Sequence, residues 1–346
     1  MFIGIIAVII FLSILILVHE LGHFLAAKKF GLLVEEFGFG LPPRIWGKKI
    51  GETIYSVNAL PIGGFVKIFG EDGEDATLKT RISGRIERSF TSLKIWQRAL
   101  ILLAGVFMNF LLGWLVISVV FFIGIPQTIL ITEVAPNSPA SEIGLMSGDR
   151  IANFSKMDEF IGYVNDNRGK VINLEIERLD KSFSVQATPR INPPEGQGAL
   201  GISLAEGGSP KMGVFEGFYE GLKTSAEIVK SIFLALFGLI KSAFVGKGSL
   251  ESVAGPVGIV KITAQAGSLG FVYLLQLLAL ISLNLAVINI IPFPALDGGR
   301  LLFLFIEKIK GSPLNPKFEK FSNAAGMVLL LLLMLLITIK DISRFF

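Results

Sequence analysis

Residues 2–29 read FIGIIAVIIFLSILILVHELGHFLAAKK. Phe2 to Val18 is an apolar run that continues, with polar interruptions, to Ala27. About 18 apolar residues are enough for a helix to cross ~30 Å of hydrocarbon, so the stretch predicts a membrane span. It lacks a basic segment ahead of the apolar run and a small-residue cleavage site, and it ends in Lys28-Lys29. That pattern reads as a retained span, not a removable signal. Its second half carries His19, Glu20 and His23, and these are the only two histidines in the chain. Ionisable groups inside an apolar helix are the feature the rest of the sequence has to explain.

The whole chain of 346 residues is 52% hydrophobic and 17% charged. A soluble domain carries about 25% charged residues, so neither a soluble globular class nor disorder fits. The complete lack of cysteine excludes a disulfide framework and a thiolate metal site. Three further apolar segments predict spans: Ala99 to Ile123, Phe271 to Ile291, and Ala324 to Ile339. In Ile228 to Val245, Lys230-Ser231 and Lys241-Ser242 are eleven residues apart and return to one helical face. That segment reads as an amphipathic helix in the membrane interface, not as a span.

Charge sets the expected sidedness. Lys28 to Arg98 holds 12 Lys/Arg against 8 Asp/Glu, Gly124 to Glu227 holds 9 against 14, and Arg300 to Lys320 holds 5 against 2. By the positive-inside rule the first and third segments are cytoplasmic and the middle one is outside. The net charge of +4 therefore reports topology, and nucleic acid is not an expected partner. The expected division is a first span at 1–27, a cytoplasmic loop at 28–98, a second span at 99–123 and a small mixed α+β domain at 128–205. An extracytoplasmic linker with amphipathic helices follows at 206–269, then a third span at 270–299, a cytoplasmic loop at 300–323 and a fourth span at 324–342. Within the first loop, glycine punctuation predicts short strands at Leu33–Phe39, Glu52–Asn58 and Gly64–Phe69.

His19-Glu20-Leu21-Gly22-His23 fits H-E-x-x-H. Histidines four apart share a helical face and can clasp one zinc, with the intervening glutamate facing the same cavity as general base. An ionisable side chain at the bilayer centre costs about 2.5–3.5 kcal/mol, and this helix places three within five residues. Two histidines hydrogen-bonded in a helix bundle would leave Glu20 unexplained. A catalytic zinc needs a third protein ligand, which here must be a carboxylate. Asp297 is the candidate, in Asn289-Ile-Ile-Pro292-Phe-Pro294-Ala-Leu296-Asp297-Gly298-Gly299 at the end of the third span. The prolines break the helix there, and the topology brings Asp297 to the depth of His19 and His23. The competing class is an ion or proton transporter, because intramembrane Glu, His and Asp also mark ion routes. An inactive membrane scaffold is a further alternative.

Across nearly its whole length the chain resembles the intramembrane site-2 zinc metalloproteases of the regulator-of-sigma-E type. His19-Glu20-x-x-His23 is similar to the family's zinc motif, and Asn289-x-x-Pro292-x-Pro294-x-Leu296-Asp297-Gly298 to its third-ligand motif. Gly105-x-x-x-Asn109 and Gly255-Pro256-Val257-Gly258-Ile259 match further family elements, although Val106 stands where many relatives have proline. Gly38-Phe39-Gly40 and Gly63-Gly64-Phe65-Val66-Lys67 are similar to the family's membrane re-entrant β-loop. Residues 128–205 resemble a PDZ domain, with room for one such domain where well-known members carry two.

The resemblance implies a polytopic α-helical membrane protein with four transmembrane helices, a re-entrant β-loop, an extracytoplasmic PDZ-like domain and an interfacial amphipathic helix. It implies one Zn2+ per chain, held by His19, His23 and Asp297 with Glu20 catalytic, and hydrolysis of peptide bonds within membrane spans. Asn109, Asn284 and Asn289 are implied oxyanion or substrate-positioning groups. Gly63, Gly64, Phe65 and Val66 are implied to pair with an unwound substrate strand. The implied partners are the lipid bilayer and a single-span membrane protein, such as a pre-cleaved anti-sigma factor or a remnant signal peptide. The PDZ-like domain is expected to contact the substrate ectodomain or C-terminus. The implied location is the bacterial cytoplasmic membrane, with the PDZ-like domain outside and the active site near the cytoplasmic side.

Overall fold

A computed structural model describes residues 2–71, 86–178, 181–194, 196–245 and 254–345. Part of the predicted cytoplasmic loop, 72–85, and part of the predicted linker, 246–253, lie outside the described residues. The chain forms two compact units, Met1–Ser118 with Phe218–Phe346, and Val119–Gly217.

The first unit begins with helix α1, Phe2–Lys29, an uninterrupted apolar helix with two lysines in its last turn. Those cations favour the negative end of the helix dipole. Gly31, at φ 75°, stops the helix, and the Leu32 amide bonds back to Ala27 O over 3.0 Å. Strands β1, Val34–Ile50, and β2, Thr53–Ile68, follow as an antiparallel hairpin. The hairpin folds back on itself. Phe37 pairs with both Tyr55 and Val66, and Gly38 with both Ser56 and Phe65, while Trp46 to Ile50 pair with Val57 to Thr53. Residues 34–39 are thus flanked by 53–58 and 64–68, and 64–68 is an edge. The three short strands expected here are parts of two continuous ones. The segment 44–50, not expected, extends the hairpin as a mostly exposed tip, so no buried face announced it.

Helix α2, Ile95–Ile123, crosses close to α1: a Cβ on Gly22 would collide with the Ala104 carbonyl. A small residue at such a crossing lets two backbones approach. After the second unit come α5 (Val214–Phe244), α6 (Pro256–Leu269), α7 (Phe271–Ile290), α8 (Asp297–Lys310) and α9 (Pro316–Phe345). Ser282 of α7 donates to Asn109 O of α2 over 2.7 Å. Asp341 of α9 accepts from the amides of Gly255 and Gly258, satisfying donors at the start of α6. The segment expected to lie in the interface, 228–245, falls mostly within the single long helix α5.

Four helices among the described residues are long and apolar enough to cross a membrane: α1, α2, α7 and α9. On α9, Leu331, Leu332, Leu335 and Leu336 are each at least half exposed. An apolar surface of that kind is stable in lipid, not in water. The chain is a polytopic membrane protein with small antiparallel sheets.

The second unit holds a five-stranded sheet in the order β6-β5-β4-β3-β7. Its strands are β3, Ile125–Val134; β4, Arg150–Ile151; β5, Ile172–Arg178; β6, Lys181–Ala187; and β7, Ile202–Ser209. Helices α3, Pro139–Glu142, and α4, Met157–Asp166, close the core. Ser138 caps α3 by accepting from the Ser141 amide, with Pro139 in the first turn. Phe160 and Val164, four apart on α4, pack with Ile129, Ile151, Leu174, Ile176 and Leu200. Buried Asp149 takes two 2.6 Å hydrogen bonds from Arg178 and one from the Met146 amide. Burial alone would raise the Asp149 carboxyl, but these donors outweigh it and hold its pKa below the usual aspartate value.

Candidate metal centre

The site is built from the two histidines of α1 and the first residue of α8. His19 and His23 are one helical turn apart, and their rings meet edge to face with centroids 4.7 Å apart. The His23 Nδ1 lies 2.8 Å from Ile101 O of α2. A carbonyl can only accept, so the proton of the neutral ring sits on Nδ1 and the lone pair on Nε2 faces the cavity.

Asp297 arrives by a different route. Helix α7 ends at Ile290, and the Pro292–Pro294 segment turns the chain before α8 begins at Asp297. This turn doubles back so tightly that a Cβ on Gly298 would run into the carbonyls of Ile290 and Ile291. Ala295 sits at φ 78°, a left-handed conformation that side chains other than glycine seldom adopt. The Asn323 Oδ1 of α9 accepts from the Ala295 amide at 3.1 Å and fixes that turn. Asn323 went unnoticed in the sequence, where a lone amide ahead of an apolar run carries no spacing signal.

Three ligand-type atoms converge. His19 Nε2 and His23 Nε2 are 3.1 Å apart, and Asp297 Oδ2 lies 3.0 Å from the first and 3.4 Å from the second. These residues form a group able to hold a metal ion, and the Oδ2 atom is buried without a hydrogen-bond partner among the described residues. Three such donor atoms this close repel unless a cation or a shared proton lies among them. A tetrahedral zinc with ligand bonds of about 2.0–2.1 Å keeps its donor atoms about 3.3 Å apart, which matches the three separations. Gly105 of α2 supplies the room, since a Cβ there would strike His23 Nε2.

Glu20 lines the same cavity, which has a volume of about 390 Å³. Its Oε2 accepts from the Val66 amide at 3.1 Å, joining α1 to the 64–68 edge. Phe65 and Val66 also line the cavity, whereas Gly63 and Gly64 pack beside Ile16 and Leu17 of α1. Arg300, paired with Glu71, and Asn323 line the cavity as well. The three asparagines singled out by sequence lie elsewhere. Asn284 donates back to Leu280 O of its own helix at 2.9 Å, and neither it nor Asn289 lines the cavity. Asn109 is completely buried behind His19, with Nδ2 3.3 Å from its Nδ1. That places it on the far side of the ring from the cavity, a poor position for holding an oxyanion.

The profile of Peptidase family M50 matches residues 7–333. The chain belongs to peptidase family M50. A Clostridium perfringens protein named as a zinc metalloprotease is 38% identical, over 95% of this chain and 96% of its own length. The regulator of sigma-W protease RasP of Bacillus subtilis is 31% identical over 99% of both chains. That alignment runs to 421 positions, so the Bacillus protein carries sequence this chain lacks. Another protein named as a zinc metalloprotease, from Clostridium acetobutylicum, is 33% identical over 99% of this chain and 98% of its own. As an M50 member the chain is a site-2-type zinc metalloprotease, which sets the transporter and scaffold readings aside.

Proposed function

We propose that this M50 protease cleaves single-span membrane proteins within their spans, using His19, His23 and Asp297 to hold zinc and Glu20 as general base. The convergence of two Nε2 atoms and one carboxylate oxygen at 3.0–3.4 Å carries this reading. Zinc, when bound, acidifies water and polarises a carbonyl. Glu20 takes the proton of the attacking water and returns it to the leaving amine. Its hydrogen bond from the Val66 amide holds the carboxylate against the cavity wall while it waits.

A helical substrate has every backbone group bonded internally and must be unwound before attack. In this reading residues 31–70 dip into the membrane as a re-entrant loop, and the 64–68 edge accepts the extended segment as an added strand, with Gly63, Gly64, Phe65 and Val66 at the pairing site. An edge strand recognises main chain, which suits substrates of diverse sequence. The 128–205 unit acts as a PDZ-like domain outside the membrane. A groove of about 390 Å³ between α4 and β7, lined by Phe160, Val164, Ala199 and Leu200, supports a role in receiving a substrate end. In this reading the segment 228–245 lies in the outer interface, and the zinc-binding depth is near the cytoplasmic side of a bacterial inner membrane. Pre-cleaved anti-sigma factors and remnant signal peptides are the substrate classes proposed.

The test is metal analysis and cleavage of a single-span peptide by protein purified in detergent. Wild type is expected to hold one zinc, His23→Ala and Asp297→Ala to lose it, and Glu20→Gln to keep it while turnover falls about 100-fold or more. Metal-free wild type, or full cleavage by Glu20→Gln, would overturn the assignment.

A further inference from the structure

Beside the Asp297 Oδ2 already described, Asn109 is a second side chain of the neighbourhood with a buried oxygen that lacks a hydrogen-bond partner among the described residues. It is fully buried, its Nδ2 faces His19 Nδ1 at 3.3 Å, and its Oδ1 has no partner among the described residues. A histidine that presents the lone pair of Nε2 to a cation carries its proton on Nδ1 and must donate there. A carboxamide nitrogen cannot accept that proton. Turning the amide by half a rotation brings Oδ1 to Nδ1, giving the orphaned oxygen its donor and the ring its acceptor. The helix around Asn109 leaves little freedom to do otherwise: its carbonyl is held by Ser282 and the preceding turn is packed at Gly105 against both imidazoles.

We infer that Asn109 is a positioning residue for zinc, its Oδ1 accepting from His19 Nδ1 and so fixing the tautomer and the ring plane that present His19 Nε2 to the metal. The arrangement parallels His23, whose Nδ1 is held by Ile101 O. One imidazole is oriented by backbone and the other by a side chain, both from α2. The inference rests on the proposed His19, His23 and Asp297 ligand set, and it gives Asn109 a role distinct from stabilising an oxyanion.

Zinc retention tests it directly. Purified zinc-loaded protein in detergent is exposed to excess EDTA, and the zinc remaining per chain is followed over time. Asn109→Ala is expected to lose zinc about 10–100-fold more readily than wild type. Asn109→Asp keeps the acceptor and strengthens it, and it is expected to hold zinc at least as long as wild type. Thermal unfolding of the metal-free proteins checks that both variants fold, and the Asp variant decides the question alone if the Ala variant does not. Normal retention by Asn109→Ala overturns the inference, as does faster loss from Asn109→Asp. Wild type without zinc overturns the ligand set itself, whereas zinc lost from Asp297→Ala but retained by Asn109→Ala removes only the role of Asn109.

Discussion

The Val66 amide donates to Glu20 Oε2 across 3.1 Å, joining residues 46 positions apart in sequence. The bond ties the proposed general base to the strand edge proposed to receive substrate. An incoming strand that uses the Val66 N–H must compete with Glu20 for it.

Val66→Pro removes that donor. Proline is tolerated at sheet edges where its missing N–H serves no ladder bond. A hydrogen bond to a charged group contributes about 1.5–3 kcal/mol, so turnover of a single-span substrate is expected to fall about tenfold or more while zinc content stays at one per chain. Single-turnover cleavage with parallel metal analysis checks this; undiminished turnover would remove the coupling.

Gly105→Ala is expected to strip the site of zinc. The added Cβ would meet His23 Nε2 and lie 2.8 Å from His19 Cε1, so both rings must move. Overpacking of this kind costs about 1–3 kcal/mol in stability, too little by itself to unfold most proteins. Zinc retention in EDTA and thermal unfolding, measured together, separate loss of metal from loss of fold.

Asn323→Leu should weaken zinc binding from a residue outside the proposed ligand set. It leaves the Ala295 amide unbonded in the turn that delivers Asp297. Ala295→Gly should do the opposite to stability, relieving a left-handed residue by about 1 kcal/mol. A chelator series on the first variant and a melting curve on the second test the two halves. A zinc affinity unaltered by Asn323→Leu would show that the turn holds without it.

Glu52 predicts a pH dependence away from the site. Hydrogen bonds from Arg88 and Lys28 lower its pKa to about 2, against an ordinary 4.5. Because the folded-state value is depressed, its contribution to stability is present above pH 4.5 and is lost as pH falls from about 4.5 toward 2. The group is partly exposed, so the slope is shallow and salt-sensitive. Glu52→Gln should flatten the melting temperature across that window and lower it slightly at neutral pH, where the wild-type contribution is fully present.

Much of this was legible in the chain. Apolar length alone marked α1, α2, α7 and α9, because hydrocarbon thickness imposes a minimum run that water-soluble helices seldom reach. For His19 and His23 the count of two histidines and no cysteine calls for a carboxylate, and the proline break after the third span together with the topology singles out Asp297. What stayed hidden was set by tertiary contact. Nothing in the spacing of Trp46 or Lys48 shows that the hairpin continues to Ile50, since its tip is exposed and carries no buried alternation. Asn323 and Ile101 act through a side-chain oxygen and a backbone oxygen brought in by other helices, and neither leaves a local pattern. Asn109 was noticed for its motif, but only its place behind the imidazole distinguishes a support for His19 from a group facing substrate.

The proposed ligand set draws on positions 19, 23 and 297 of a chain of 346 residues. During synthesis the two histidines enter the bilayer first and wait for a carboxylate that follows the third span. A ribosome-bound fragment, surrounded by other newly inserted spans, carries the base and two thirds of the metal clasp but cannot close it. In the proposed ligand set, closure of the clasp is thereby deferred until the third span has been made, by the order of residues alone.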